Sequence, residues 1–79
     1  MTMFTFTLYR EHCPFCHADL TAPKAVRVAR RHLASVGPGG RLIEHSTEDT
    51  DLCLTDRSPL VTCTRCDTDL SLEVEAHEE

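Results

Sequence analysis

The chain has no tryptophan, and its 79 residues include one tyrosine and three phenylalanines. So few large rings give a thin core, and chains this short often need a metal, disulfides or a partner to hold one state. No apolar run approaches the ~20 residues of a membrane-spanning helix, so no membrane partner is expected. The opening segment, MTMFTFTLYR, lacks a basic stretch followed by an apolar one. It alternates threonine with apolar residues, which is not the pattern of a secretory leader. The expected location is therefore cytoplasmic, where thiols stay reduced. Signatures of several enzyme classes are missing too. GPGG at 37–40 is not followed by the Lys-Ser/Thr of a phosphate loop, and H-E-x-x-H does not occur. The formal charge is −5, which disfavours indiscriminate binding to a nucleic-acid backbone. No small-molecule substrate is expected.

What the chain does have is cysteine. Four of its five cysteines fall in two copies of one pattern, C-x-x-C-x-x-D-L-[TS]: CPFCHADLT from Cys13 and CTRCDTDLS from Cys63. In a reducing compartment, paired C-x-x-C motifs more often bind metal or perform redox chemistry than form structural disulfides.

The segments around them read as follows. Residues 3–9 alternate Phe4, Phe6 and Leu8 with Thr5, Thr7 and Tyr9, a strand pattern. Residues 22–36 predict an amphipathic helix. Thr21 can cap it, Pro23 sits in its first turn, and Gly37-Pro38 ends it. Ala22, Val26, Ala29, Leu33 and Val36 then form one apolar stripe. Lys24, Arg27 and Arg31 point the opposite way, with Arg30 on the flank, and no acid interrupts the segment. GPGG is a turn, and 41–45 a short strand through Leu42 and Ile43. Residues 46–51 form an acidic loop, 51–55 a strand and 56–59 a turn. Residues 59–63 enter the second motif as a strand. Leu70, Leu72 and Val74 alternate with polar residues on the way out, placing that motif at a hairpin tip. A single domain is expected over 1–75, followed by an acidic flexible tail at 76–79.

A structural metal site uses both motifs. Zinc takes four ligands in a tetrahedron, commonly thiolates, and two turns supply two each: Cys13, Cys16, Cys63 and Cys66. A tight turn lets backbone N–H groups point at the sulfurs, and Leu20 and Leu70 can pack beneath them. The arrangement resembles the zinc-ribbon group, whose knuckles often read CPxCGxxL. CPFCHADL follows that pattern, and CTRCDTDL follows it with Thr64 for Pro. His17 and Asp67 stand where many knuckles carry glycine. The resemblance implies a small α+β domain of two metal-bearing hairpins with one inserted helix, 22–36. It implies one structural Zn²⁺ per chain and a non-enzymatic adaptor for protein or nucleic acid, with transcription-related regulation among its roles. Iron in a rubredoxin-like site uses the same spacing.

The first motif supports a rival. FTLYREHCPFCH resembles the start of a glutaredoxin, which implies a thiol-disulfide oxidoreductase with Cys13 as nucleophile and Cys16 as resolving thiol. In such a domain a helix runs on from the motif and its dipole lowers the first thiol's pKa. Thr21 and Pro23 interrupt that helix here, and the second motif is left without a role.

The lesser candidates are weaker. Cys53, between Leu52 and Leu54, reads as a small buried or half-buried side chain. His12 and His17 read as surface groups or as donors to a ligand sulfur. Lys24, Arg27, Arg30 and Arg31 are the one concentrated positive feature. They form either a solvated face or a docking surface for a partner.

Overall fold

The computed structural model describes residues 2–45 and 50–78. Among the described residues seven strands follow in order: β1 (Phe4–Leu8), β2 (Val26–Val28), β3 (His32–Val36), β4 (Leu42–Glu44), β5 (Thr50–Asp51), β6 (Val61–Cys63) and β7 (Val74–Glu78). Single 3₁₀ turns lie at Pro38–Gly40 and Ser71–Glu73. β1 and β7 form a two-stranded ladder, and the other five lie in the order β5-β4-β3-β2-β6. Every pairing is antiparallel.

The inserted helix expected over 22–36 is not there, and the domain is sheet-rich rather than α+β. That segment is a hairpin: β2, a turn, then β3, with Val26 opposite Ala34 and Val28 opposite His32. Val26, Val28, Ala34 and Val36 are buried. The segment satisfies two periods at once, because Val26-Arg27-Val28 alternates while the wider spacing fits a helical stripe. Its valines are β-branched and pack best on a pleated surface. The reversal falls at Ala29 and Arg30, whose φ values are 52° and 67°. Such a turn usually announces itself with Asn-Gly. Without that signal, the helical pattern reads straight through it.

Two further expectations change. Leu72 does not continue the inward alternation after Leu70. It sits in the 3₁₀ turn and is fully exposed. The expected tail at 76–79 is, in its described part, the end of β7, paired to β1 from Phe4↔Glu78 to Leu8↔Val74. Of the acidic loop at 46–51, residues 46–49 lie outside the described residues, and Thr50–Asp51 form β5.

β1 is where the sheets meet. One edge pairs with β7. Phe4 also exchanges two backbone hydrogen bonds with Leu54, at 2.7 and 3.0 Å, and Thr7 bridges to Arg41. Both faces of β1 are covered. Phe6 and Leu8 are fully buried in the core, and Thr5 and Thr7 are nearly so. The Thr5 hydroxyl accepts from Arg41 Nη2 at 3.4 Å, and the Thr7 hydroxyl lies 3.0 Å from His77 Nε2. Phe6, Leu8, Leu42 and Leu52 join the β2, β3 and β6 valines in one core, which also holds Leu20, Leu70, Cys13 and Cys63. Among the described residues no helix is long and apolar enough to cross a membrane.

The GPGG turn presses on β1 at Gly40. Its φ is +84°, and a Cβ there would lie 2.9 Å from the Leu8 carbonyl oxygen. Gly40→Ala is expected to cost on the order of 2 kcal/mol, from left-handed backbone plus contact with main chain. A lowered melting temperature of the metal-loaded protein is the readout.

Candidate metal centre

The two cysteine motifs are built alike, residue for residue, at an offset of fifty. In the first, His17 N donates to the Cys13 carbonyl at 3.0 Å and Cys13 N to the Ala18 carbonyl at 2.9 Å. In the second, Asp67 N donates to the Cys63 carbonyl at 2.9 Å and Cys63 N to the Thr68 carbonyl at 3.0 Å. Each turn closes through a residue of left-handed backbone, His17 at φ 60° and Asp67 at 58°. Each is clamped by a bridge, His12↔Asp19 and Thr62↔Asp69. Leu20 N then donates to the Glu11 carbonyl at 2.8 Å, and Leu70 N to the Val61 carbonyl at 2.7 Å. Both leucines are buried.

The aspartate of the repeated motif has a role that the sequence reading left blank. Asp19 Oδ1 accepts from the Thr21 backbone N–H at 2.9 Å and from its hydroxyl at 2.6 Å. Asp69 Oδ1 accepts from the Ser71 backbone N–H at 2.8 Å. These bonds hold both carboxyls below the usual carboxylate range. They turn the chain sharply out of each knuckle, which is the job of an Asx turn. The shared D-L-[TS] ending was its signal.

The strand pairing brings the knuckles together. β1 leads into the first and β2 leaves it; β6 leads into the second and β7 leaves it. β1 pairs with β7 and β2 with β6, placing Cys63 directly opposite Val26. Thr64 also clasps the first half of the chain, its N–H and hydroxyl both donating to the Ala25 carbonyl at 3.1 and 3.0 Å. The four sulfurs of Cys13, Cys16, Cys63 and Cys66 all lie within 4.8 Å of one another. Cys13 Sγ is 3.6 Å from Cys66 Sγ, and Cys16 Sγ is 3.7 Å from Cys63 Sγ. A tetrahedron with metal–sulfur bonds of about 2.3 Å has edges of about 3.8 Å. The spacing fits one metal ion held by four thiolates.

Backbone donors face the sulfurs. Burial pushes the Cys13 thiol up, but the N–H groups of Cys16 and Phe15 outweigh it and pull the thiol below its ordinary value. The Thr68 hydroxyl and N–H bring Cys66 down to about 6. The Ala18 N–H pulls Cys16 down as well. Burial and the neighbouring Cys66, Cys13 and Cys63 thiols win there, raising it to about 11. Four thiols packed this closely cannot all ionise without a cation among them. Cys13 and Cys63 are buried, Cys16 is half-buried and Cys66 is exposed, so one side of the cluster faces solvent.

The other candidates sort out around this centre. His12 and His17 are exposed, one in the bridge and one in the left-handed position, and neither joins the cluster. Cys53 is exposed rather than buried. β5 ends at Asp51, so the short strand expected through Cys53 does not form and the alternation of Leu52 and Leu54 does not set its exposure. The chain after Cys16 runs through turns into β2, so the helix a glutaredoxin needs beyond its first motif is absent. Lys24, Arg27, Arg30 and Arg31 share no helix face. Lys24 lies in the turn before β2 and Arg27 on its outer side, while Arg30 and Arg31 lie at the hairpin tip. Comparison with family models, curated proteins and solved structures returned no match.

His17 and Asp67 occupy a backbone region that costs residues with a Cβ roughly 1 kcal/mol, aspartate somewhat less than most. His17→Gly is expected to stabilise the metal-loaded protein by about 0.5 kcal/mol, after the entropy glycine loses on folding. Asp67→Gly is expected to gain less. Paired thermal melts check both sign and order.

Proposed function

We propose that this chain is a non-enzymatic metal-binding module in which one structural Zn²⁺ is held by Cys13, Cys16, Cys63 and Cys66. The observation that carries the reading is the tetrahedral spacing of four sulfurs drawn from both ends of the chain. Four protein ligands complete the shell, whereas a catalytic zinc keeps one position for water or substrate. The metal would supply the folding free energy that a thin core lacks. In this reading the module is an adaptor that presents a surface to a protein or nucleic acid, with transcription-related regulation as one setting. Thiolates that must stay reduced suit a cytoplasmic location.

Elemental analysis of chelator-free protein tests it, with one zinc per chain expected. Iron with the colour of a ferric tetrathiolate would replace the metal and add electron transfer. Metal-free protein carrying a Cys13–Cys16 disulfide would overturn the reading in favour of thiol-disulfide exchange.

A further inference from the structure

The chain is acidic, yet two of its stretches contain no acid at all: 20–43 and 57–66. The sheet order sets them side by side, because β2 and β3 come from the first stretch and β6 from the second. The two stretches hold seven of the eight basic residues, and six of these, all but Arg41, belong to β2, its flanking turns and the segment around β6: Lys24, Arg27, Arg30, Arg31, Arg57 and Arg65. Contacts fix their sequence along the surface. The Thr64 hydroxyl donates to the Lys24 carbonyl at 3.0 Å, which places Lys24 beside the second knuckle and its Arg65. Arg27 lies mid-strand on the outer side of β2, opposite Thr62. Ala29 N donates to the Leu60 carbonyl at 2.8 Å, so the tip bearing Arg30 and Arg31 lies against the segment that carries Arg57. At about 3.3 Å per residue, this row runs for roughly 20 Å.

The row is largely unneutralised. Arg10 and Arg41, outside it, pair with Glu73 at 3.1 Å and Asp51 at 3.2 Å. Within it, one ion pair is made among the described residues, Arg27 to Asp67 at 3.9 Å, with both side chains substantially exposed. Such a pair contributes little. A tetrathiolate zinc centre adds about −2 at the knuckle end, leaving the row net positive. Across the sulfur cluster from the row's Arg65 end stands an exposed ring. Phe15, at the first knuckle, is 72% exposed. Its neighbour Cys16 has its sulfur within 4.8 Å of that of Cys66, which adjoins Arg65. Phe15 and Arg65 occupy equivalent positions of the two motifs, on either side of the sulfur cluster.

Resting on the adaptor reading above, we propose that this face binds a single strand of nucleic acid. Its phosphates follow the row from Arg65 and Lys24 past Arg27 to Arg30 and Arg31, and one base stacks on Phe15. A linear run of cations suits a backbone of regularly spaced charges, and an exposed aromatic at its end suits an unpaired base. The −5 net charge repels a polyanion everywhere else, so binding is confined to this row and is steeply salt-dependent.

The test is fluorescence anisotropy with the full, metal-loaded chain. Labelled single-stranded DNA and RNA of about 15 nucleotides, their duplexes, and polyglutamate are titrated at about 50 and 200 mM salt. Single strands are expected to bind more tightly than duplex or polyglutamate. Five phosphate contacts, one for each cation named, give a slope of log K against log salt of about −3.5. Arg27→Ala/Arg31→Ala is expected to reduce that slope by about 1.4. Phe15→Ala is expected to weaken binding about tenfold at either salt with the slope unchanged. Duplex bound as tightly as single strand, or an unaffected Phe15→Ala, overturns the single-strand assignment. Polyglutamate bound as tightly, or an unchanged slope in the double variant, overturns the row as a nucleic-acid track. Zinc is measured on the same samples. Wild type that holds one zinc and binds no oligonucleotide overturns this inference and leaves the metal module standing, whereas wild type without metal overturns both.

Discussion

Cys63→Ser is expected to unfold the chain. Far-UV circular dichroism should lose its sheet signal, and the zinc content should fall to zero. The size of the effect follows from comparing two magnitudes. Structural zinc sites contribute on the order of 10 kcal/mol or more of folding free energy. Whole domains are stable by about 5–15 kcal/mol, and small ones sit at the low end. Removing one ligand therefore removes most or all of the margin. Cys63 is the most exposing choice because it is fully buried and stands in β6 opposite Val26. A serine hydroxyl there neither binds zinc as a thiolate does nor finds a ready partner. A strong chelator added to wild type should reproduce the loss, and zinc should reverse it. Cys53→Ser is the control: Cys53 is exposed and outside the cluster, so its substitution should leave the zinc content at one per chain. A folded, sheet-rich Cys63→Ser protein would remove the metal from the account of stability.

The four-cysteine cluster was legible because its signal is local and doubled. Two sulfurs three residues apart on a tight turn form half a tetrahedron by themselves, and the second copy at the same spacing names the other half. β1 was legible for a similar reason, since strict alternation over FTFTL admits one reading. The hairpin at 22–36 was not. There the apolar residues satisfied the helical and the strand period together, and the arbiter was the turn at Ala29 and Arg30. Neither residue type signals left-handed backbone, so the reversal is imposed by what surrounds it: β6 pairing along β2, and the Ala29–Leu60 bond. β7 hid for a related reason. Its end at 76–79 looks solvated by composition, and the strand character of the described part comes from pairing with β1, about seventy residues away in sequence.

The consequence for the basic residues is larger than a change of secondary structure. On a helix, Lys24, Arg27 and Arg31 would stand apart from both knuckles, with no aromatic ring among them. In the hairpin they fall before, on and after β2, which runs along β6 into the second motif, so the row gains Arg65. The fold thus joins the four-cysteine cluster to the basic residues. Loss of the metal is expected to abolish the row as well, because β6 and the Lys24–Thr64 contact are both anchored at the second knuckle.

Leu20→Ala and Leu70→Ala are each expected to cost about 2–5 kcal/mol, and to cost nearly the same. Both side chains are buried in the core shared with Cys13 and Cys63, each the central residue of the Asx turn that ends its knuckle. Truncation leaves a cavity there, and neither site collapses easily. The Leu20 backbone is fixed by Glu11 and Val36, and the Leu70 backbone by Val61. Unlike a lost ligand, the lost leucine leaves all four sulfurs in place. Each single variant should therefore keep one zinc per chain while melting at a lower temperature and releasing zinc to a chelator more readily. The double variant removes a sum comparable to the stability of an entire small domain, so it should be unfolded even with zinc present. Urea unfolding of the zinc-loaded proteins measures all three. A loss below about 1 kcal/mol in either single variant would mean that its leucine does not support the site. A large loss in only one would mean that the two motifs share a sequence pattern but not a mechanical role.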